Sequence, residues 1–219
     1  MWVHNDRTNK IFAEYISKPD FKVHRVNNTL SFNGSNPNDI RLNPDLERHG
    51  ALGDVGWYSL RNILWAYNYE LPISVVATMQ VDKTTGAIMD IQGILNFSDQ
   101  RNATFCNSMR EAPNDWAEIS TSDTVIRIPS AFSCREPVPT FTISGSKSET
   151  IQVQGTNQVV ATINRFAQDC AKPTENQHWG EQTLKTMIIM DACYESAKAH
   201  GETIFLKTET TQNVLMIGQ

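Results

Sequence analysis

A succession of short β-strands joined by tight turns constrains the fold of this chain more than any other feature. Between residues 73 and 154 apolar and polar residues alternate in short segments. We assign as strands Ile73–Val81, Ala87–Ser98, Asn102–Met109, Trp116–Ser120, Thr124–Ile128, Pro139–Ser144 and Thr150–Gln154. Turns at 83–86 and 144–146 favour antiparallel neighbours, because a parallel pair needs a long crossover connection. The alternation within residues 89–98 predicts a sheet with one covered face and one polar face.

Helical patterns flank this run of strands. They predict helices over Thr8–Ser17, Leu52–Asn68, Asn157–Ala171 and Gly180–His200, and further strands over Trp2–His4, Phe21–Asn33 and Thr203–Lys207. Asp6 is the expected N-cap of the first helix. The prediction is an α+β fold: an open, mainly antiparallel sheet with helices on one face, preceded by a βα unit. Residues 1–20 form that unit, 21–207 the main domain and 208–219 a polar tail.

Composition and charge exclude several classes of function. The 219 residues carry a net charge of -5 without a run of lysine or arginine, which argues against a nucleic-acid partner. No stretch approaches the roughly 18 apolar residues of a membrane helix. The four cysteines are far apart and the five histidines do not cluster, so no metal site is expected. Such cysteine spacing indicates buried, reduced thiols and favours the cytoplasm.

Three glycines, Gly50, Gly53 and Gly56, precede the second predicted helix. Dinucleotide-binding loops follow a strand and have the spacing G-x-G-x-x-G, whereas these follow a polar loop with the spacing G-x-x-G-x-x-G. The pattern therefore does not predict a phosphate-binding loop. Small residues at these positions are expected to let the start of the helix approach another backbone closely.

Asp54 and Tyr58 are candidates for proton transfer. They are four residues apart on the predicted helix, so their side chains would share one face. A carboxylate beside a phenol can orient the phenol or adjust its pKa. Pairs with this spacing are also common on helix surfaces, so an ordinary surface pair remains the alternative. Trp57, Trp65 and Tyr69 are most simply core or interface aromatics.

Residues 50–72, GALGDVGWYSLRNILWAYNYELP, resemble the substrate-domain helix of the glucose–fructose oxidoreductase / inositol dehydrogenase family. The form Asp-x-Gly-x-Tyr resembles the dihydrodiol dehydrogenase branch. The opening MWVHNDRT resembles the end of the family's nucleotide-binding domain, and MDACYESAKAHGETIFL resembles its closing helix and strand. The three matches occur in the family's order and span nearly the whole chain.

The resemblance implies an NAD- or NADP-dependent oxidoreductase that transfers a hydride to or from a sugar, polyol or diol. It implies that Tyr58 is the acid/base at the reacting hydroxyl and that Asp54 orients Tyr58 or contacts the substrate. It also implies that His4, Trp57 and Arg61 lie near the substrate and the nicotinamide. In the family, the open sheet often forms a homodimer interface.

The chain departs from the family in lacking both G-x-G-x-x-G and the Glu-Lys-Pro motif. We therefore expect that the nucleotide-binding domain is largely absent from these residues, and that they neither bind the cofactor nor turn over substrate alone. We also expect residues 2–16 to be frayed or to cover exposed surface. Two other readings stay open: a non-catalytic short isoform that dimerises through its open sheet, and an unrelated binding module.

Overall fold

The computed structural model describes residues 1–34, 36, 38–134, 139–155, 157–172 and 178–206. A single sheet dominates it. Its strands are β1 (Arg25–Asn33), β2 (Ser74–Val81), β3 (Ile88–Asn96), β4 (Asn102–Ser108), β5 (Arg110–Ser120), β6 (Val125–Pro129), β7 (Thr140–Ser144), β8 (Ser148–Gln152) and β9 (Ile204–Phe205). Their spatial order is β8-β7-β6-β5-β1-β4-β3-β2-β9.

The sheet is antiparallel except at its centre, where β1 runs parallel to β4. The connection from β1 to β4 is long enough for a parallel pair because it contains a helix and two further strands. The register aligns one row of side chains across seven strands: Val76, Ile94, Thr104, Asn27, Glu118, Arg127 and Thr142. This row lies on the face that we call the open face.

The helices are α1 (Asp6–Ile11), α2 (Trp57–Ala66), α3 (Gln158–Ala171) and α4 (His178–Lys198), and π-helical turns at Phe12–Ile16 and Leu52–Gly56 adjoin α1 and α2. α3 contacts the turn at residues 2–4, whereas α2 and α4 cover the opposite face of the sheet. α2 packs on β1 and β4, and α4 packs on β2. Their apolar side chains and the inward residues of the strands form one buried cluster. The predicted fold class, an α+β fold with an open and mainly antiparallel sheet, is confirmed.

The first residues differ from the sequence-based prediction. Trp2–His4 form a 3-10 turn and not a strand, because no strand of the sheet lies beside them to complete a ladder. The Trp2 ring is 4% exposed and makes edge contacts with Trp65 and Phe132 at centroid distances of 5.6 and 6.0 Å. Trp2 thus covers core surface. Asn5, not Asp6, caps α1 and accepts a hydrogen bond from the Arg7 amide.

Arg7 links α1 by hydrogen bonds to the end of β6 and the start of β7. Its guanidinium donates to the carbonyl oxygens of Pro129 (2.7 Å), Ser130 (2.7 Å) and Thr140 (3.0 Å). The side chain is 1% exposed, and this burial lowers the pKa of Arg7. Arg7 therefore holds the segment that contains Phe132 against the N-terminal helix.

Strand lengths and cysteine burial bring two further corrections. β5 begins at Arg110 rather than Trp116, because exposed polar residues before Trp116 pair with β1 through their backbones. All four cysteines are free, but only Cys134 and Cys193 are buried, while Cys106 and Cys170 are exposed. The predicted tail at 208–219 lies outside the described residues. Among the described helices, none is long and apolar enough to cross a membrane.

Candidate functional site

The entry to α2 depends on a close backbone approach at Gly50. Gly50 has a φ of +47°, and a Cβ at this position would lie 2.5 Å from the carbonyl oxygen of Ile88 in β3. The predicted role of a small residue here is therefore confirmed at Gly50. The space beside Gly50 is filled by the backbone of β3, so this glycine-containing segment does not fit a pyrophosphate.

A π-helical turn, Leu52–Gly56, leads directly into α2 and Tyr58. Asp54 lies within this π turn, whereas Tyr58 is the second residue of α2. Single π turns inside helices occur frequently at functional sites.

Asp54 is engaged by an arginine from outside the helix. Its Oδ2 lies 2.8 Å from Nε of Arg41, whose guanidinium also pairs with Asp39 at 3.1 Å. The hydrogen bond to Asp54 raises the pKa of Arg41. The structure thus links Asp54 to Arg41, and the role of Asp54 toward Tyr58 or a substrate stays a prediction.

Tyr58 is half-buried and presents an unengaged hydroxyl. Its ring packs at a tilt on Phe132, with the ring centroids 6.2 Å apart. Phe132 is itself held by a hydrogen bond from its amide to Asp115 Oδ1 (3.0 Å). No side chain or backbone group in the described part of the chain bonds the Tyr58 hydroxyl, which is not buried. The ring thus packs on Phe132, and the hydroxyl is left without a hydrogen-bond partner among the described residues.

A buried network of amides, which the sequence-based reasoning missed, anchors the turn of α2 that contains Tyr58. Asn28 Nδ2 donates to the Ser59 carbonyl oxygen (3.0 Å) and to Asn62 Oδ1 (3.2 Å). Asn107 Nδ2 donates to Ser59 Oγ (2.9 Å) and to the carbonyl oxygen of Leu30 (3.1 Å). The only signal in the sequence is that Asn28 and Asn107 occupy inward positions of two strands, where apolar residues are the rule.

Arg61 points toward α4. It is 7% exposed, and its guanidinium donates to Thr186 Oγ1 (3.2 Å) and Gln182 Oε1 (2.8 Å). Its charge also lies 5.2 Å from the centroid of the Tyr69 ring. Burial lowers the pKa of Arg61. Within the described residues no carboxylate bonds this buried cation, so its charge is compensated only by neutral dipoles and a ring.

His4 and Trp57 complete the predicted set. The imidazole of His4 is half-buried and makes an edge contact with Trp179 at 5.2 Å, and burial is the largest cause of its lowered pKa. Trp57 is partly buried against the core. The proximity of His4, Trp57 and Arg61 to a substrate stays a prediction. The described residues contain no cluster of three or more side chains suited to a metal ion.

Solved structures share this architecture. A tyrosine-to-phenylalanine mutant of KijD10, a 3-ketoreductase from Actinomadura kijaniata in complex with TDP-benzene and NADP, superposes with a TM-score of 0.79 at 16% identity over 89% of this chain and 60% of its own. The chain shares the fold of the matched part of this 3-ketoreductase. An aldose-aldose oxidoreductase from Caulobacter crescentus, complexed with glycerol, gives 0.76 at 20% identity over 90% of this chain.

A third neighbour is a putative NADPH-dependent oxidoreductase from Desulfitobacterium hafniense, with a TM-score of 0.75 at 12% identity over 93% of this chain. The chain spans only 58% to 62% of the length of these three proteins. No protein-family model matches the sequence. At such low identities the likeness establishes the fold and leaves activity to be argued from the site.

Proposed function

We propose that this chain is the substrate-binding part of an NAD(P)-dependent oxidoreductase of the glucose–fructose oxidoreductase / inositol dehydrogenase family, in its dihydrodiol dehydrogenase-like branch. The reaction interconverts a CH–OH group and a carbonyl in a sugar, polyol or diol. The unbonded hydroxyl of Tyr58, two residues after a π turn, is the observation that carries the proposal. The shared fold of an NADP-bound ketoreductase and an aldose-aldose oxidoreductase supports it.

The step assigned to this chain is a proton transfer. In the reducing direction the Tyr58 hydroxyl donates its proton to the carbonyl oxygen of the substrate, and in the oxidising direction the phenolate accepts a proton from the substrate hydroxyl. Packing on Phe132 limits movement of the ring. Asp54, held by Arg41, is assigned to a second hydroxyl of the substrate, because a carboxylate is an acceptor for such a group.

Hydride transfer is the chemistry that a nicotinamide supplies when it is bound. The glycine segment before α2 does not support a site for the pyrophosphate of such a nucleotide, because the backbone of Ile88 lies directly beside Gly50. The proposal therefore assigns nucleotide binding to residues other than those described here. The intact mass and sequence of the native polypeptide determine whether such residues belong to the same chain.

The test is NAD(P)-linked turnover of a panel of aldoses, polyols and diols by the native polypeptide. Tyr58→Phe is expected to lower kcat by about 10²- to 10⁴-fold, the usual contribution of a general acid, with a much smaller change in KM. Tyr194→Phe is the matched control, since this partly buried tyrosine lies on α4 beside His49. Full activity in Tyr58→Phe, or no activity on any member of the panel, would overturn the proposal.

A second candidate function rests on the open face of the sheet. Ile94 and Trp116 are 45% and 38% exposed there and border a groove of about 610 Å³. Exposed apolar side chains at the centre of a sheet are typical of an interaction surface. The alternative is thus a non-catalytic module that pairs with a second copy of the chain through this face.

Thiol reactivity tests this pairing, because Cys106 lies in the groove whereas Cys170 lies on α3. If two copies pair through the open face, alkylation of Cys106 should slow at concentrations where sedimentation shows a dimer, while Cys170 reacts at an unchanged rate. A monomer at micromolar concentration, or a dimer with an equally reactive Cys106, would rule the pairing out.

A further inference from the structure

We propose that a cavity at the C-terminal end of α2 is a binding site for a small ligand that combines a planar ring with a negative charge. The cavity has a volume of about 830 Å³, within the usual range of roughly 300–1,000 Å³ for small-molecule sites. It lies between the segment 66–70 after α2, the β3–β4 loop, the entry to β1 and Lys185 of α4. Tyr58, in contrast, lies in the first turn of α2.

Left-handed backbone conformations occur at two places beside this cavity. Asn68 and Tyr69 have φ values of 49° and 60°, and Asp99 and Gln100 have values of 58° and 63°. Among the described non-glycine residues, positive φ is otherwise found only at Ser130 and His200. Asp99 and Gln100 are the central pair of a hairpin turn closed by the Arg101 amide on the Ser98 carbonyl oxygen, and Asn68 follows a helix end, so positive φ is ordinary at these three. Tyr69, which borders the cavity, is the strained position, at a cost on the order of 1–3 kcal/mol.

Tyr69 is the most informative of these residues. Glycine adopts a positive φ without steric cost, whereas a bulky side chain there is an outlier. The Tyr69 side chain lines the cavity on one side and lies over the Arg61 guanidinium on the other, contacts that a glycine would not make. The C-terminal turn itself needs only the backbone, since the Tyr69 amide donates to the Leu64 carbonyl oxygen.

The aromatic wall of the cavity is rigid. Tyr67 stacks on Phe97 with a centroid distance of 4.1 Å, and its hydroxyl lies 2.7 Å from the Asn102 carbonyl oxygen. Tyr67 is itself only 5% exposed, so the ring surface open to the cavity comes from the half-buried Phe21 and Tyr69 beside it. Preorganised aromatic side chains offer a planar ligand contact area at little entropic cost.

The charges around the cavity favour an anion. Arg101 is neutralised by Glu70, with both oxygens 2.8 Å from its Nη2, and Lys185 pairs with Glu181 outside the wall. Three further charges remain: exposed Lys22 and exposed Asp99 on the wall, and buried Arg61 behind the Tyr69 ring.

Lys22 and Asp99 carry opposite charges, so the sign of the field in the cavity is set by Arg61. No described carboxylate bonds Arg61, and because it is buried its field is weakly screened. The carbonyls of residues 63, 64 and 65 at the end of α2 already accept backbone hydrogen bonds, and the partial negative charge left at the Ala66 carbonyl is smaller than the full charge of Arg61. A ring carrying a phosphate or carboxylate matches both the wall and the field.

The first experiment titrates phenyl phosphate into the ¹⁵N-labelled protein. The expected result is a saturable shift of the amides at 68–69 and 99–101, with an affinity at least about tenfold above that of inorganic phosphate or the neutral phenyl β-glucoside. If millimolar phenyl phosphate does not shift these amides, or if phenyl β-glucoside binds with equal affinity, the proposal is overturned.

Two variants test the ring and the charge. Tyr69→Gly should weaken phenyl phosphate binding by about tenfold or more. Its thermal midpoint should fall, because the ring that packs on the core and on Arg61 is lost and relief of the positive φ offsets only part of that loss, so binding is measured well below the midpoint. A lowered midpoint with unchanged binding would show that the ring serves the fold alone. Lys22→Ala, on an exposed side chain, should weaken phenyl phosphate but not phenyl β-glucoside, with the exposed Lys83→Ala as the control. Equal affinities in both lysine variants would refute the anionic class.

Discussion

Replacing Arg7 by methionine tests whether buried hydrogen bonds or buried charge dominate at the N-terminal helix. Methionine keeps an unbranched apolar stem but removes every donor. The carbonyl oxygens of Pro129, Ser130 and Thr140 then lose the guanidinium that now lies 2.7–3.0 Å from them. Because the guanidinium is 1% exposed, water cannot simply take its place.

The magnitude follows from two opposing effects. Each orphaned carbonyl costs about 1–3 kcal/mol, so three together cost about 3–9 kcal/mol. Removing a cation that has no bonded carboxylate among the described residues returns several kcal/mol of desolvation free energy. We expect a net loss of about 2–4 kcal/mol in the free energy of unfolding.

The assay is urea unfolding followed by circular dichroism. Arg7→Lys keeps the buried charge but presents a compact ammonium in place of the planar fork, so it should destabilise at least as much as Arg7→Met. Arg127→Met on the open face is the control, and loss of its exposed pair with Glu118 should cost about 1 kcal/mol or less. An Arg7→Met protein as stable as the parent would refute the reasoning, because burial of charge would then outweigh the three bonds.

Three further outcomes are expected. Gly50→Ala should destabilise by about 2–4 kcal/mol in urea unfolding, because its Cβ meets the Ile88 carbonyl oxygen at a positive φ; a loss below about 0.5 kcal/mol would contradict the close approach. Asn107→Leu should cost about 2–3 kcal/mol, since the buried Leu30 carbonyl and the Ser59 hydroxyl lose a donor; a more stable variant would show that the amide network is dispensable. Burial lowers the pKa of His4 below 6.5, so its contribution is present above pH 6.5 and is lost as the pH falls below it; His4→Gln should flatten stability against pH in that window, and an unchanged slope would contradict the shift.

The local patterns of the sequence determined the class of the fold. Strand alternation, tight turns and the helix ending before Pro72 depend on neighbours within a few residues, so they can be recognised without the tertiary structure. Gly50 could also be recognised from the sequence, because a close approach of two backbones at the start of a helix requires a residue without a side chain. The place of Tyr58 on this helix followed from the same local pattern.

Only the tertiary structure decided which distant groups meet. The parallel pairing of β1 with β4, the ion pair of Arg41 with Asp54, and the bonds of Arg61 to α4 each join residues far apart or on different elements. The sequence pattern predicted a helix from Leu52 but not that its first turn, Leu52–Gly56, is a π turn, because no periodicity of residue types indicates one extra residue in a turn. The strand expected at Trp2–His4 became a turn because a strand exists only beside a hydrogen-bonding partner, and the rest of the chain supplies or withholds that partner.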